Sequence, residues 1–244
     1  MPYYFEYTNS SLFLKSTLFR DLPVRHGFGT RRGGAAGWAA AGGDWAALQQ
    51  VHSARVVRVS RPAAGTVLDE HGAPLHDDAL PVGDALVTAA AGLTLVVQTA
   101  DCLPVLLVDP VRRVAAAIHS GWRGTAADIC GAAVRRMVCD WKCNPADIRA
   151  AIGPGIQACC YAVGDDLADR FAAQFTGAVI RRVNGRVHLN LSACVATALR
   201  RAGVPSQHTD SAVLCTCCWG ALFYSYRRQG DDAGRLYHWI RFDG

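Results

Sequence analysis

Three apolar runs, Leu93–Val97, Leu103–Val108 and Val114–Ile118, follow one another closely in the middle of the chain and constrain its fold more than any other stretch. Each is short and rich in Val, Leu or Ile, so each reads as a buried strand. The segment "DPVRR" between the second and third is a turn signal, which predicts a hairpin. Polar groups stand where these runs meet. Asp101 and Cys102 separate the first two, and His119 ends the third. In the hairpin, Cys102 and His119 lie at the same end, close enough for their side chains to meet.

Further strands are expected at Val56–Val59, Asp84–Thr88, Ile148–Ile152, Ala212–Cys215, Leu222–Tyr226 and Leu236–Phe242. Ile129, Ala133, Met137 and Trp141 recur at helical spacing, with Thr125 and Asp128 as a capping pair before them and Asn144–Pro145 as the stop. Asp165–Phe175 and Ser192–Arg201 read as two more helices, and the Gly- and Ala-rich Gly27–Asp44 as a loop. Strands cluster without strict alternation with helices, which predicts an α+β fold with mixed sheets flanked by helices, formed as a single domain over residues 1–244.

At 244 residues, 51% hydrophobic and 18% charged, the chain can bury a sizeable core and is globular in composition. Gln98, Asp101 and Asp109 break the richest apolar region, so no stretch reaches the length of a membrane span. The N-terminal "MPYYFEYTNS" has no basic start followed by an apolar core, which points to a cytoplasmic protein whose ten cysteines stay reduced. The net charge of +5 is mild, and pairs such as Arg31–Arg32 and Arg112–Arg113 are scattered along the chain. Paired arginines are usually solvated; no nucleic-acid partner is inferred, and an anionic substrate is compatible.

A cysteine beside an apolar run is most often a small buried hydrophobe, and a histidine ending a strand is most often satisfied by backbone. Convergence changes that reading. His52, in "QVHSARVV", would complete a set of two His and one Cys, the donor set of a zinc site that keeps one position open for chemistry. His119 also precedes a helix start, where free N–H groups and Arg123 favour anions. The "CTCC" at Cys215–Cys218 is half of a zinc knuckle with no second C-x-x-C to pair with, so these thiols are read as buried in a strand. Cys159–Cys160 and Cys139 with Cys143 are read the same way. "GFGTRRGG" follows no clear strand–helix unit and is a weak phosphate loop, and no GxSxG or Walker motif is present.

The chain resembles the YfiH-like family, also called the laccase-domain or polyphenol oxidase family. The stretches that carry the resemblance run in order along nearly the whole chain, from "VRHGFGTR", "QVHSARVV" and "GDALVT" through "QTADCLPVLLVD" and "AAIHSGWRGT" to "AAIGPGIQACCYAVG", "HLNL" and "CTCC…FYSYRRQGDDAGR". The resemblance implies the fold of the cysteine hydrolases seen in deamidating toxins such as cytotoxic necrotizing factor. It implies metal ligation by His52, Cys102 and His119, with zinc as the metal and copper as the other candidate. It also implies phosphorolysis of adenosine, inosine and methylthioadenosine, and deamination of adenosine. Two departures stand out: only fifteen residues separate Gly34 from Gln50, and Gln157–Ala158 replaces the more usual Gly-Pro.

For such chemistry Asp101, Cys102 and His119 are the catalytic candidates, and Arg31, Arg123 and Gln50 the candidates for binding phosphate and substrate. The competing functions are a copper-dependent polyphenol oxidase, a thiol hydrolase with Cys102 as nucleophile and His119 as base, and a binding or redox-sensing protein. A four-copper oxidase needs many histidines, typically in His-x-His pairs, and this chain has eight His and no such pair.

Overall fold

A computed structural model describes residues 2–8, 10–33, 44–62, 66–75, 80–175 and 179–243. The strands are β1 (Tyr3–Thr8), β2 (Ser11–Ser16), β3 (Val24–Gly29), β4 (Trp45–Ala46), β5 (Val56–Arg58), β6 (Ala85–Thr88) and β7 (Thr94–Thr99). They continue with β8 (Leu103–Asp109), β9 (Val114–Ser120), β10 (Arg149–Ile152), β11 (Ile180–Val183), β12 (Arg186–Leu189), β13 (Thr209–Ser211) and β14 (Leu236–Phe242). The helices are α1 (Trp122–Ala126), α2 (Ile129–Trp141), α3 (Asp165–Gln174), α4 (Leu191–Arg201) and α5 (Tyr226–Gln229). One six-stranded sheet has the order β1-β2-β3-β14-β7-β4 and the other β13-β10-β8-β9-β6-β5, while β11 and β12 form a separate hairpin. Both large sheets are mixed: β4 with β7, β5 with β6 and β10 with β13 pair in parallel, and the remaining pairs are antiparallel. This is the α+β architecture expected.

Residues alternate between two cores along the central strands of the second sheet. Leu103, Val105 and Leu107 of β8, with Ala116 and Ile118 of β9, face α2 and α4. Leu106 and Val108 of β8, with Ala115 and Ala117 of β9, face the first sheet, against Leu95, Val97 and Ile240. Every residue of β8 and β9 is buried, which is why their sequences are continuous apolar runs rather than alternating ones. The predicted β8–β9 hairpin forms with Leu103 opposite Ser120 and Asp109 opposite Val114. The Asp109 carboxylate accepts from the N–H groups of Val111 and Arg112, so the Asp of "DPVRR" closes the turn itself.

The local expectations need four corrections. The cap of α2 is Asp128, whose side chain accepts from the Gly131 N–H, whereas Thr125 lies inside α1 and donates to the Gly121 carbonyl. Ala212–Cys215 and Leu222–Tyr226 are not strands. A shorter strand lies upstream at β13, Cys215 makes an isolated bridge to Gly155, and Tyr226 opens α5. The β1–β2 hairpin went unread. Of the expected Gly27–Asp44 loop, Gly27–Gly29 ends β3 and residues 34–43 lie outside the described residues. Among the described residues no helix is long and apolar enough to cross a membrane.

Two histidines are built into the first sheet as neutral groups. His26 Nε2 accepts from the Ser16 N–H, and His238 Nδ1 accepts from the Gly29 N–H while its Nε2 meets Thr99 Oγ1 at 2.8 Å. Burial first, then the charge of Lys15 for His26 and of His119 for His238, lower both to about 3. An unfolded histidine titrates near 6.5, so each contributes stability that is present above that pH and is lost as pH falls toward 3. The urea midpoint is therefore expected to drop between pH 6.5 and 4, with both imidazoles remaining neutral by NMR until the fold is lost. Separately, Asp128→Ala is expected to cost about 1–2 kcal/mol in urea unfolding, because it removes the cap of α2.

Candidate metal centre

Asp84 precedes β6 and its side chain is fully buried. Its carboxylate accepts from the N–H groups of Val51, His52 and Ser53, from the Ser53 hydroxyl at 2.7 Å and from His119 Nδ1 at 2.8 Å. Burial opposes its charge, yet the hydrogen bonds from His119 and Ser53 outweigh this and hold the carboxyl down at about 2. One ionised group thus fixes the loop that carries His52 and the ring of His119. The proton on His119 Nδ1 is committed to Asp84, so Nε2 is the ring atom that faces Cys102 and would bind a metal.

His52, Cys102 and His119 converge. Their ligand atoms all lie within 4.8 Å of one another, His52 Nε2 stands 3.9 Å from Cys102 Sγ, and the two imidazoles meet edge to face with centroids 4.9 Å apart. His52 and Asp101 adopt positive φ, 61° and 90°, a costly conformation for residues other than glycine. Burial raises the Cys102 thiol, but hydrogen bonds from His119 and His52 prevail and bring it down to about 7. Burial lowers His119, but Asp84 and Cys102 prevail and raise it to about 9. A thiol that ionises easily beside two imidazoles is the donor chemistry of zinc, and the trio fits that metal. Gly121 makes room for it: a Cβ there would stand 2.9 Å from Cys102 Sγ and 3.0 Å from the His52 ring.

The trio opens into a cavity of about 630 Å³ that is also lined by Gln50, Asp101, Trp122, Arg123, Tyr161 and Arg227. Arg235, Tyr226 and Leu191 complete much of its remaining wall. Of the residues singled out in the sequence, Gln50 reaches the cavity with its amide paired to the backbone of Gln98. Arg123 reaches it stacked on Trp122, with its guanidinium 4.3 Å from the ring centroid. Asp101 also lines it, but one carboxylate oxygen accepts from the Thr216 hydroxyl and the other from the Arg227 N–H, each at 2.6 Å. Arg31 is not brought to the cavity. It stacks on Tyr224 and donates to the Gly220 carbonyl, bracing a neighbouring loop. Arg227 and Arg235 supply the positive charge that Arg31 was expected to give. Burial, then the neighbouring Cys102, push the Tyr161 phenol up to about 12, so it stays protonated and can donate a hydrogen bond to an occupant.

Sequence reasoning missed Asp84, Thr216, Tyr161, Arg227 and Arg235. A signal existed for Asp84 alone: an acid directly before a buried strand needs partners.

The family model described as "Multi-copper polyphenol oxidoreductase laccase" matches residues 26–243. A purine nucleoside phosphorylase of Deinococcus radiodurans is 39% identical over 194 residues, which cover 80% of this chain and 68% of that protein. The adenosine deaminase RL5 of an unknown prokaryotic organism is 36% identical over 193 residues, covering 78% of this chain and 71% of its own. The crystal structure of YlmD from Geobacillus stearothermophilus superimposes with a TM-score of 0.85 at 28% identity, covering all of both chains.

Gly121→Ala is expected to force Cys102 Sγ and the His52 ring apart. Metal bound at this trio should fall by tenfold or more, on the order of the loss seen when groups supporting a metal site are removed, with little change in circular dichroism. Elemental analysis of the dialysed protein measures it.

Proposed function

The chain belongs to the multi-copper polyphenol oxidoreductase laccase family, and from that premise we propose that it is a purine nucleoside enzyme working with zinc held by His52, Cys102 and His119. Its reactions are phosphorolysis of adenosine, inosine and methylthioadenosine, and deamination of adenosine. One observation carries the reading: a two-His, one-Cys donor set forms the floor of a cavity whose walls combine aromatic rings with three arginines. The names of relatives, purine nucleoside phosphorylase and adenosine deaminase, point the same way.

Each wall has a task in that reading. Trp122, Tyr161 and Tyr226 offer flat apolar faces and polar edges suited to a purine. Arg123, Arg227 and Arg235 offer positive charge for phosphate. In phosphorolysis a phosphate oxygen bonds to C1′ of the ribose, the C1′–N bond breaks, and the base leaves with that electron pair and takes up a proton. In deamination water adds to C6 of the purine and ammonia departs. Zinc in such a site acts as a Lewis acid toward substrate or water. Asp84 aims His119, and Asp101, with both oxygens engaged, serves by holding Cys102 and the Arg227 backbone in place.

Two other readings are less well supported. The histidines of a four-copper site are missing from the sequence, and among the described residues the only metal-type cluster containing His is this trio. A thiol mechanism with Cys102 as nucleophile and His119 as base draws on the same lowered thiol.

Incubation of the purified protein with adenosine, with and without phosphate, followed by chromatography of the products, separates these readings. Adenine and ribose 1-phosphate are expected only with phosphate, and inosine in either case. Cys102→Ala should lose the zinc of the His52–Cys102–His119 trio and lower both activities by about 100-fold or more. Arg123→Ala should raise the KM for phosphate about tenfold while leaving deamination within about twofold. Metal-stripped protein that still turns over, and that iodoacetamide then inactivates, would replace the zinc reading with the thiol one.

A further inference from the structure

Four cysteines that the sequence divides into unrelated pairs meet beside the cavity. The sulfurs of Cys159, Cys160, Cys215 and Cys218 all lie within 4.8 Å of one another, with Cys218 Sγ 3.6 Å from Cys159 Sγ and 3.4 Å from Cys160 Sγ. Tetrahedral zinc with Zn–S bonds of about 2.3 Å requires sulfurs about 3.8 Å apart. The C-x-x-C half, Cys215 and Cys218, does have a partner. It is the adjacent pair Cys159–Cys160, carried on a turn that follows Gly155–Ile156.

The backbone builds this arrangement. Gly155 and Cys215 are bridged in parallel, with the Gly155 N–H donating to the Leu214 carbonyl and the Thr216 N–H to the Gly155 carbonyl. Turns at 158–160 and 216–218 follow that bridge in the two segments, and their sulfurs converge. A Cβ at Gly155 would stand 2.6 Å from Leu103 and 2.9 Å from the Asp101 carbonyl, so glycine is needed for the two segments to sit this close to the sheet end. Cys215 Sγ accepts from the backbone N–H groups of Gln157 and Cys218, the N–H···S pattern that supports a thiolate ligand. Two arginines fasten the carbonyls around the sulfurs. Arg227 donates to Cys160 and Ala162, and Arg228 to Thr216 and Cys217. Their two positive charges match the net charge of a zinc ion bound by four thiolates.

We propose that Cys159, Cys160, Cys215 and Cys218 form a second, structural zinc site, in which four thiols each release a proton and bind one Zn²⁺. All four positions of the metal are then taken by sulfur, so the site has no open position for substrate. Its effect is mechanical. It ties the segment that carries Tyr161 to the segment that carries Thr216 and Arg227, and these form one wall of the cavity and grip Asp101.

The test uses the whole protein purified under reducing conditions. X-ray absorption at the zinc edge of the Cys102→Ala protein, in which the His52–Cys102–His119 trio is broken, is expected to show four sulfur neighbours at about 2.3 Å and no nitrogen. A Cys159→Ser/Cys218→Ser protein, altered only at exposed cysteines, is expected to hold one zinc fewer per chain than wild type. Alkylation of wild type needs no variant: Cys139, exposed on α2, should react at once, and the four clustered cysteines only after a strong chelator is added. Immediate labelling of all four in native protein overturns the proposal. So does an intact mass about 2 Da low with a Cys159–Cys218 or Cys160–Cys218 disulfide in the peptide map, since each disulfide removes two hydrogens. Failure of the trio to bind zinc would leave this result unaffected, because the sulfur-only signal belongs to the second site.

Discussion

The 2.8 Å hydrogen bond between Asp84 and His119 is the contact around which the centre is organised. Both groups are almost entirely removed from solvent, where an isolated carboxylate would be costly. Asp84 offsets that cost with five donors: an imidazole, a hydroxyl and three consecutive backbone N–H groups. The consecutive N–H groups belong to the segment that bears His52. A single buried charge therefore sets the tautomer of one member of the trio and the backbone of another. The third member, Cys102, is set through its neighbour, because Asp101 is gripped by Thr216 and by the Arg227 backbone. The left-handed conformations of His52 and Asp101 persist because these bonds over-determine them.

The centre of the fold was legible because burial on both faces writes itself into sequence as unbroken apolar runs. Strands β6 to β9 all show it, and the turn residues of "DPVRR" confirm how two of them connect. The convergence of His52, Cys102 and His119 was legible in part for a related reason: the hairpin put Cys102 and His119 at one end, while His52 joined them only as a third candidate that the family resemblance also implies. The β1–β2 hairpin was not, since β1 is a half-exposed edge strand and β2, although mostly buried, mixes polar Ser and Lys with its apolar residues. The Thr125 cap was misjudged because Thr125 and Asp128 satisfy a capping pattern, although the chain breaks between α1 and α2 at Asp128 itself, with φ at 61°.

The cavity walls were the least legible part. Arg227 belongs to a pair of arginines of the sort that usually face water, and nothing local marks it as turned inward. The four-cysteine cluster was hidden by its spacing, because Cys159 and Cys160 are adjacent and do not form a second C-x-x-C. Both groups are brought in by the parallel bridge between Gly155 and Cys215, residues sixty positions apart, and no periodicity records a contact of that kind.

The position of β14 has a consequence for how the chain is made. Residues 236–242 lie between β3 and β7, so the innermost neighbour of both strands is delivered far later than either. A ribosome releases residues in order, and until β14 emerges β3 and β7 present open edges at the middle of their sheet, the arrangement most prone to pairing with a strand of another chain. The other sheet is in a different position. Its strands β5, β6, β8 and β9, with His52, Asp84, Cys102 and His119, are all drawn from residues 52–120. The three side chains can therefore converge while much of the cavity wall is still unsynthesised, and the nascent protein holds the whole trio before it has the pocket into which the trio opens.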